Sequence, residues 1–91
     1  MSKVIHKFEL TSQWSQMILL HENAEILDIE CKGSKVFLWA LLDINMPEKE
    51  YEIVTVVTGG LFKDGLRYIK TLHMINAFGE NIVLHYFVNH S

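Results

Sequence analysis

The sequence predicts a mainly-β fold: a single small antiparallel β-sandwich or open barrel of about seven strands, with at most one short helix. Three observations predict it. Short segments alternate apolar and polar side chains with the two-residue period of a strand. Turns carrying glycine or asparagine separate those segments. Between them run β-branched stretches such as Val54-Thr55-Val56-Val57-Thr58, which pack well on a pleated surface. Ninety-one residues, 49% apolar and 21% charged, are enough for one core and no more, so residues 1–91 read as one domain.

Each element follows in order. From Lys3 to Glu9, Val4, His6 and Phe8 alternate with Ile5, Lys7 and Glu9, the pattern of a first strand. Leu10-Thr11-Ser12-Gln13-Trp14-Ser15 is polar and irregular, and Gln16-Met17-Ile18-Leu19-Leu20 fits a short buried strand ending in the turn His21-Glu22-Asn23. Leu27, Ile29 and Cys31 alternate with Asp28 and Glu30, which places Cys31 among core residues. Lys32-Gly33-Ser34-Lys35 then makes a hairpin turn. The returning strand, Val36 to Asp43, is apolar on both faces and belongs mid-sheet or between a sheet and a partner surface. The single proline, Pro47, marks a loop. A long strand then runs from Glu50 to Thr58 and ends at Gly59-Gly60. Leu61 to Gly65 is a loop with room for one helical turn near Phe62 to Gly65. Leu66 to Ile75 has both helical and strand spacing, and Tyr68, Ile69 and Thr71 favour the strand. After the turn Asn76 to Asn81, the last strand, Ile82 to Val88, carries Val83, His85 and Phe87 on one face and forms a hairpin with its predecessor.

Composition excludes several function classes. Eleven acidic against eight basic residues leave a net charge of −3, which argues against binding DNA or RNA through its phosphates. No apolar run approaches the roughly 18 to 20 residues of a membrane helix, so no membrane partner is expected. Met1-Ser2-Lys3-Val4-Ile5-His6 lacks the apolar stretch of a secretory signal, and a lone cysteine suits a reducing compartment, so the expected location is cytoplasmic.

Catalytic and metal chemistry find little support. The histidines His6, His21, His73, His85 and His90 show no short paired spacing, so no metal site is expected unless the fold gathers His6, His73 and His85. Asp28, Glu30, Glu50 and Glu52 alternate with apolar residues and read as solvated strand faces, not as a catalytic dyad. No nucleophile–base pairing emerges, so the expectation is a non-enzyme without cofactors. Thr58-Gly59-Gly60 is the one glycine-rich corner, whose backbone N–H groups would let a phosphate approach closely. A strand end needing unusual backbone angles explains the same residues. Downstream, Lys63, Arg67 and Lys70 accompany Tyr68 and Thr71, the densest mixture of cations, aromatics and hydroxyls in the chain. These suit a nucleotide, or else a charged rim guarding an edge strand.

Leu38-Trp39-Ala40-Leu41-Leu42-Asp43, Thr58-Gly59-Gly60, Tyr68-Ile69-Lys70-Thr71 and Leu84-His85-Tyr86-Phe87, taken in that order, resemble a widespread family of small phage and prophage proteins. That family's pattern is a Trp-Ala-Leu-Val-Asp strand, a Gly-Thr-Gly corner, a Tyr-Ile-Gly-Thr strand and a closing apolar-His-apolar-Phe strand. Val57 and Lys70 stand here where the pattern has glycines. The resemblance implies a link to phage anti-CBASS sponge proteins, which sequester the cyclic (oligo)nucleotide messengers of bacterial anti-phage defence without cleaving them. Action would then be in the cytoplasm of the infected host. For such a ligand the residue chemistry makes Trp39, Thr58, Gly59, Gly60, Arg67, Tyr68, Lys70, Thr71 and His85 the candidate ligand-binding residues. So small a subunit can hardly enclose such a ligand, and the two-sided apolar strand Val36 to Leu42 needs cover, so a homo-oligomer, dimer or tetramer, is expected. Two other readings are a phage inhibitor that binds a host protein directly and a minor structural protein of the virion.

Overall fold

A computed structural model describes residues 2–89. Seven strands form two antiparallel sheets: β1 (Lys3–Leu10), β2 (Ser15–His21), β3 (Glu25–Lys32), β4 (Lys35–Asp43), β5 (Glu48–Val57), β6 (Leu66–Ile75) and β7 (Asn81–Asn89). One sheet has the order β1-β4-β3 and the other β2-β5-β7-β6. The chain is a small β-sandwich. Among the described residues there is no helix, so the turn considered near Phe62 to Gly65 is irregular loop closing on Gly65, whose φ is 91°. It follows that no described helix is long and apolar enough to cross a membrane.

The alternation of side chains explains the layering. On β4, Val36, Leu38, Ala40 and Leu42 are buried, while Phe37, Trp39 and Leu41 on the outer side are half-buried. Central position in its sheet accounts for this strand's apolar character on both faces. Opposite them, Tyr51 and Ile53 of β5, Tyr86 and Val88 of β7 and Leu72 of β6 complete one core with Leu20 and Ile29. Leu10, which closes β1 at 5% exposure, belongs to this core and not to the irregular segment that follows. Tight turns connect the hairpins β3–β4 and β6–β7, with Gly33 and Gly79 at φ of 66° and 79°. These angles are in the left-handed region that glycine enters without steric penalty.

Two β-bulges change the faces that simple alternation assigns. The β3–β4 register shifts between Ile26 and Asp28, so Leu27 is exposed while Ile26 and Ile29 both pack inward. The β6–β7 register shifts between Tyr68 and Lys70. Cys31 is exposed, against the expectation of a core position: it pairs with Val36 at the open end of an edge strand, where no neighbour covers it. Its Sγ donates to the Gly33 carbonyl at 3.4 Å.

Candidate functional site

The outer face of the four-stranded sheet carries a continuous chain of polar side chains. Thr58 Oγ1 lies 2.8 Å from His85 Nε2, His85 Nδ1 lies 2.9 Å from Thr71 Oγ1, and Thr71 Oγ1 lies 2.7 Å from the Tyr68 hydroxyl. Strand pairing builds this arrangement, since Thr71 and His85 are direct cross-strand partners and Tyr68 pairs with Phe87, two residues on from His85 along β7. Cross-strand partners share a face. Thr58 joins from the turn that ends β5.

A neutral imidazole donates from one nitrogen and accepts at the other. The chain of hydrogen bonds therefore runs in one direction. With the proton on Nδ1, Thr58 donates inward and Tyr68 keeps a free O–H; with it on Nε2, the roles of the two ends exchange. Each tautomer presents one acceptor end and one donor end to an incoming ligand, a useful property for reading the edge of a base.

Aromatic rings flank this chain. Phe87, 9% exposed, has Phe62 at 4.7 Å between ring centres and Tyr68 edge-on at 5.8 Å. Phe62, 54% exposed, extends from the loop of residues 61–65 over the sheet. Beside it a hollow of about 240 Å³ is lined by Val56, Thr58, Gly59, Gly60, His85 and Phe87. On the other side of Phe62 a hollow of about 420 Å³ is bounded by Trp14, Glu52, Leu61 and Lys63. Glu52 accepts hydrogen bonds from Ser15 Oγ at 2.6 Å and Asn89 Nδ2 at 3.0 Å. These bonds, the one from Ser15 above all, hold its carboxyl below the usual 4.5, with the Lys63 charge adding to them.

The glycine corner is a closed turn. Gly60 N donates to Val57 O at 2.9 Å and Gly59 has φ 85°, the geometry of a type II turn with glycine in its third position. The Gly60 N–H is therefore already engaged and does not point at a ligand. A Cβ on Gly60 would meet Val57 O at 3.0 Å and Val56 Cγ1 at 3.2 Å.

The candidate residues thus divide into three places. Thr58, Gly59, Gly60, Tyr68, Thr71 and His85 come together on the outer face of the four-stranded sheet. Trp39 lies on the outer face of the other sheet, with Nε1 donating to Glu30 Oε1 at 3.1 Å and Lys7 Nζ 5.7 Å above its ring. Arg67 and Lys70 turn to the side where β6 meets β3. Lys70 Nζ pairs with Asp28 Oδ1 at 2.9 Å, a contact that raises its pKa. Arg67, the cross-strand partner of Val88, lines a hollow with Ala24, Ile26 and Leu27. Phe62 escapes a search by strand periodicity because a loop carries it, and Lys63, one of the cations that composition picks out, stands beside it in that loop. Phe87 was legible, since it alternates with His85 on one strand.

His6 lies in the three-stranded sheet and His73 and His85 in the other, and among the described residues no group of three His, Cys, Asp or Glu could hold a metal. His90 lies outside the described residues.

A family described as a domain of unknown function (DUF7352) matches residues 1–91. The chain belongs to that family. No curated protein and no solved structure matches it. In this DUF7352 domain, then, the polar chain Thr58–His85–Thr71–Tyr68, with its aromatic border and adjoining hollows, is the candidate site.

Proposed function

We propose that this DUF7352 domain binds a phosphate-containing cyclic (oligo)nucleotide without cleaving it, as a phage immune-evasion protein that sequesters messengers of bacterial anti-phage defence in the cytoplasm of the infected host. The observation that carries the reading is the hydrogen-bonded chain from Thr58 through His85 and Thr71 to Tyr68, set beside exposed aromatic rings. Hydroxyls and an imidazole read base edges, Phe62 offers a stacking face, and Lys63 supplies a cation across the loop. Tyr68 and Thr71 already satisfy each other, as a binding site that is organised before its ligand arrives would require. His85 Nε2 lies within hydrogen-bond reach of the Thr58 hydroxyl, so recovery of the ligand intact is the measurement that separates capture from turnover.

Calorimetry with a panel of cyclic di- and trinucleotides tests this. Binding heat, with intact ligand recovered after the protein is denatured, is the expected result. A ligand at 100 times its dissociation constant also raises stability by about 2.7 kcal/mol. Arg67→Ala leaves affinity unchanged, because its side chain lies on the other side of β6 from Thr71, while His85→Ala lowers it. Absence of heat with every nucleotide overturns the reading. The direct host-protein inhibitor is then favoured, on the strength of Leu61, Phe62 and Phe78, whose apolar side chains are exposed.

A further inference from the structure

The sandwich has four edge strands, and three are blunted. β1 alternates Lys3, Lys7 and Glu9 along its outer face. β3 and β6 each carry a bulge, and they lie against one another, tied by Lys70 and Asp28. Charge, bulges and mutual cover are the usual means of keeping sheet edges from pairing with other chains. β2, Ser-Gln-Met-Ile-Leu-Leu-His, has none of them: it is unbulged against β5 and contains no lysine, arginine, carboxylate or proline.

The direction of its backbone groups follows from the two ends of its ladder. Thr55 N donates to Trp14 O at 2.8 Å before the strand, and Glu22 N donates to Pro47 O at 2.8 Å after it. Antiparallel pairs alternate between those that exchange backbone bonds and those that do not. Gln16, Ile18 and Leu20 therefore bond to β5, and Ser15, Met17, Leu19 and His21 aim their backbone groups away from it. The His21 carbonyl is taken by Ala24 N at 3.1 Å and the Tyr51 hydroxyl at 3.2 Å. Among the described residues nothing bonds the outward N–H and C=O of Met17 and Leu19. Their side chains are 61% and 50% exposed.

We infer that β2 pairs antiparallel with β2 of a second copy of this chain about a two-fold axis through Ile18, joining two four-stranded sheets into one. The strand is complementary to itself in this register. Met17 faces Leu19 of the partner copy and exchanges both backbone bonds with it, and Leu19 does the same with the partner copy's Met17. Ser15 C=O accepts from the partner copy's His21 N–H, and Ile18 meets its own copy across the axis. Outward groups thus meet outward groups, and the exposed Met17 and Leu19 side chains merge into one apolar strip. Electrostatics permits it despite the net charge of −3. The acidic residues behind β2 are Glu48, Glu50 and Glu52 of β5. Three strand spacings, about 14 Å, separate that row from its counterpart, which exceeds the screening length of about 10 Å at ordinary salt. An isologous interface of this kind closes on itself, so it ends at a dimer and does not extend into a fibre.

Sedimentation equilibrium without ligand, from about 1 µM to about 1 mM, tests the pairing, and its outcome is independent of the nucleotide reading. The wild-type chain is expected to sediment at twice 10.6 kDa, with the Met17 and Leu19 amides protected from hydrogen exchange. Leu19→Pro removes an outward N–H while leaving the bonds to β5, and it is expected to yield a folded monomer with fast-exchanging Met17. Met17→Lys with Leu19→Lys sets like charges opposite each other and gives the same result should the proline variant fail to fold. In a Cys31→Ser background, Ile18→Cys crosslinks across the axis on mild oxidation. A wild-type monomer throughout the range, a dimer that persists in a folded variant of either kind, or failure of Ile18→Cys to crosslink in a dimer overturns the inference.

Discussion

Thr71 Oγ1 and His85 Nδ1 meet at 2.9 Å as direct partners across the β6–β7 ladder, and that contact joins the two halves of the polar chain. Thr71→Val keeps the branched shape that suits a strand but removes the hydroxyl shared by His85 and Tyr68. A half-buried imidazole nitrogen then loses its partner. Expected is a stability loss of about 1 kcal/mol in urea denaturation, together with nucleotide affinity at least several-fold weaker. Unchanged affinity in the folded variant would remove Thr71 from the site.

Phe62 separates binding from folding. Its ring is more than half exposed and touches Phe87, so Phe62→Ala costs no more than about 1 kcal/mol of stability. If a base stacks on it, the same change weakens binding by about 1–3 kcal/mol, between roughly fivefold and 150-fold in the dissociation constant measured by calorimetry.

At the glycine corner two neighbouring positions respond differently. Gly59 has φ 85° and open space where a Cβ would go, so Gly59→Asn, a residue that tolerates left-handed angles, is the milder change. Gly60→Asn forces a Cβ to within 3.0 Å of Val57 O, a backbone atom that moves only if the turn opens. Thermal melting is expected to show the larger drop for Gly60→Asn, about 1–3 kcal/mol or several degrees.

Glu52 links stability to acid. Hydrogen bonds from Ser15 and Asn89 keep its folded-state pKa below 4.5, so the unfolded chain binds the proton more readily. Its contribution is present in full above about 4.5 and is lost as pH falls through the lower, folded-state value. Glu52→Gln removes that dependence: the variant is less stable than the wild type at neutral pH, and the difference narrows as the solution is acidified. Denaturant titrations at a series of pH values read it directly, and a constant difference down to acid pH would contradict the assignment.

The strands and hairpins were legible in the sequence because their causes are local. Alternation of apolar and polar residues set β1 and β3, short apolar runs bounded by turn residues set β4 and β7, β-branched residues set β5, and Gly33 and Gly79 marked turns that demand left-handed angles. Strand neighbours were not legible, since pairing β1 with β4 or seating β7 between β5 and β6 depends on contacts between distant segments. Neither was the exposure of Cys31, which depends on what lies above an edge strand.

The candidate site shows the division most clearly. Its ingredients, Thr58, Tyr68, Thr71 and His85, stood out by residue type, but two-residue periodicity puts Tyr68 and Thr71 on opposite faces of β6. Only the bulge between Tyr68 and Lys70 brings both hydroxyls to one face, 2.7 Å apart, and sends Lys70 inward to Asp28. One unpaired residue reverses every face beyond it. Composition and period therefore determined that this chain is a small fold of about seven strands, sandwich or open barrel, with polar groups to offer, and tertiary pairing alone decided that two sheets form and which of those groups meet.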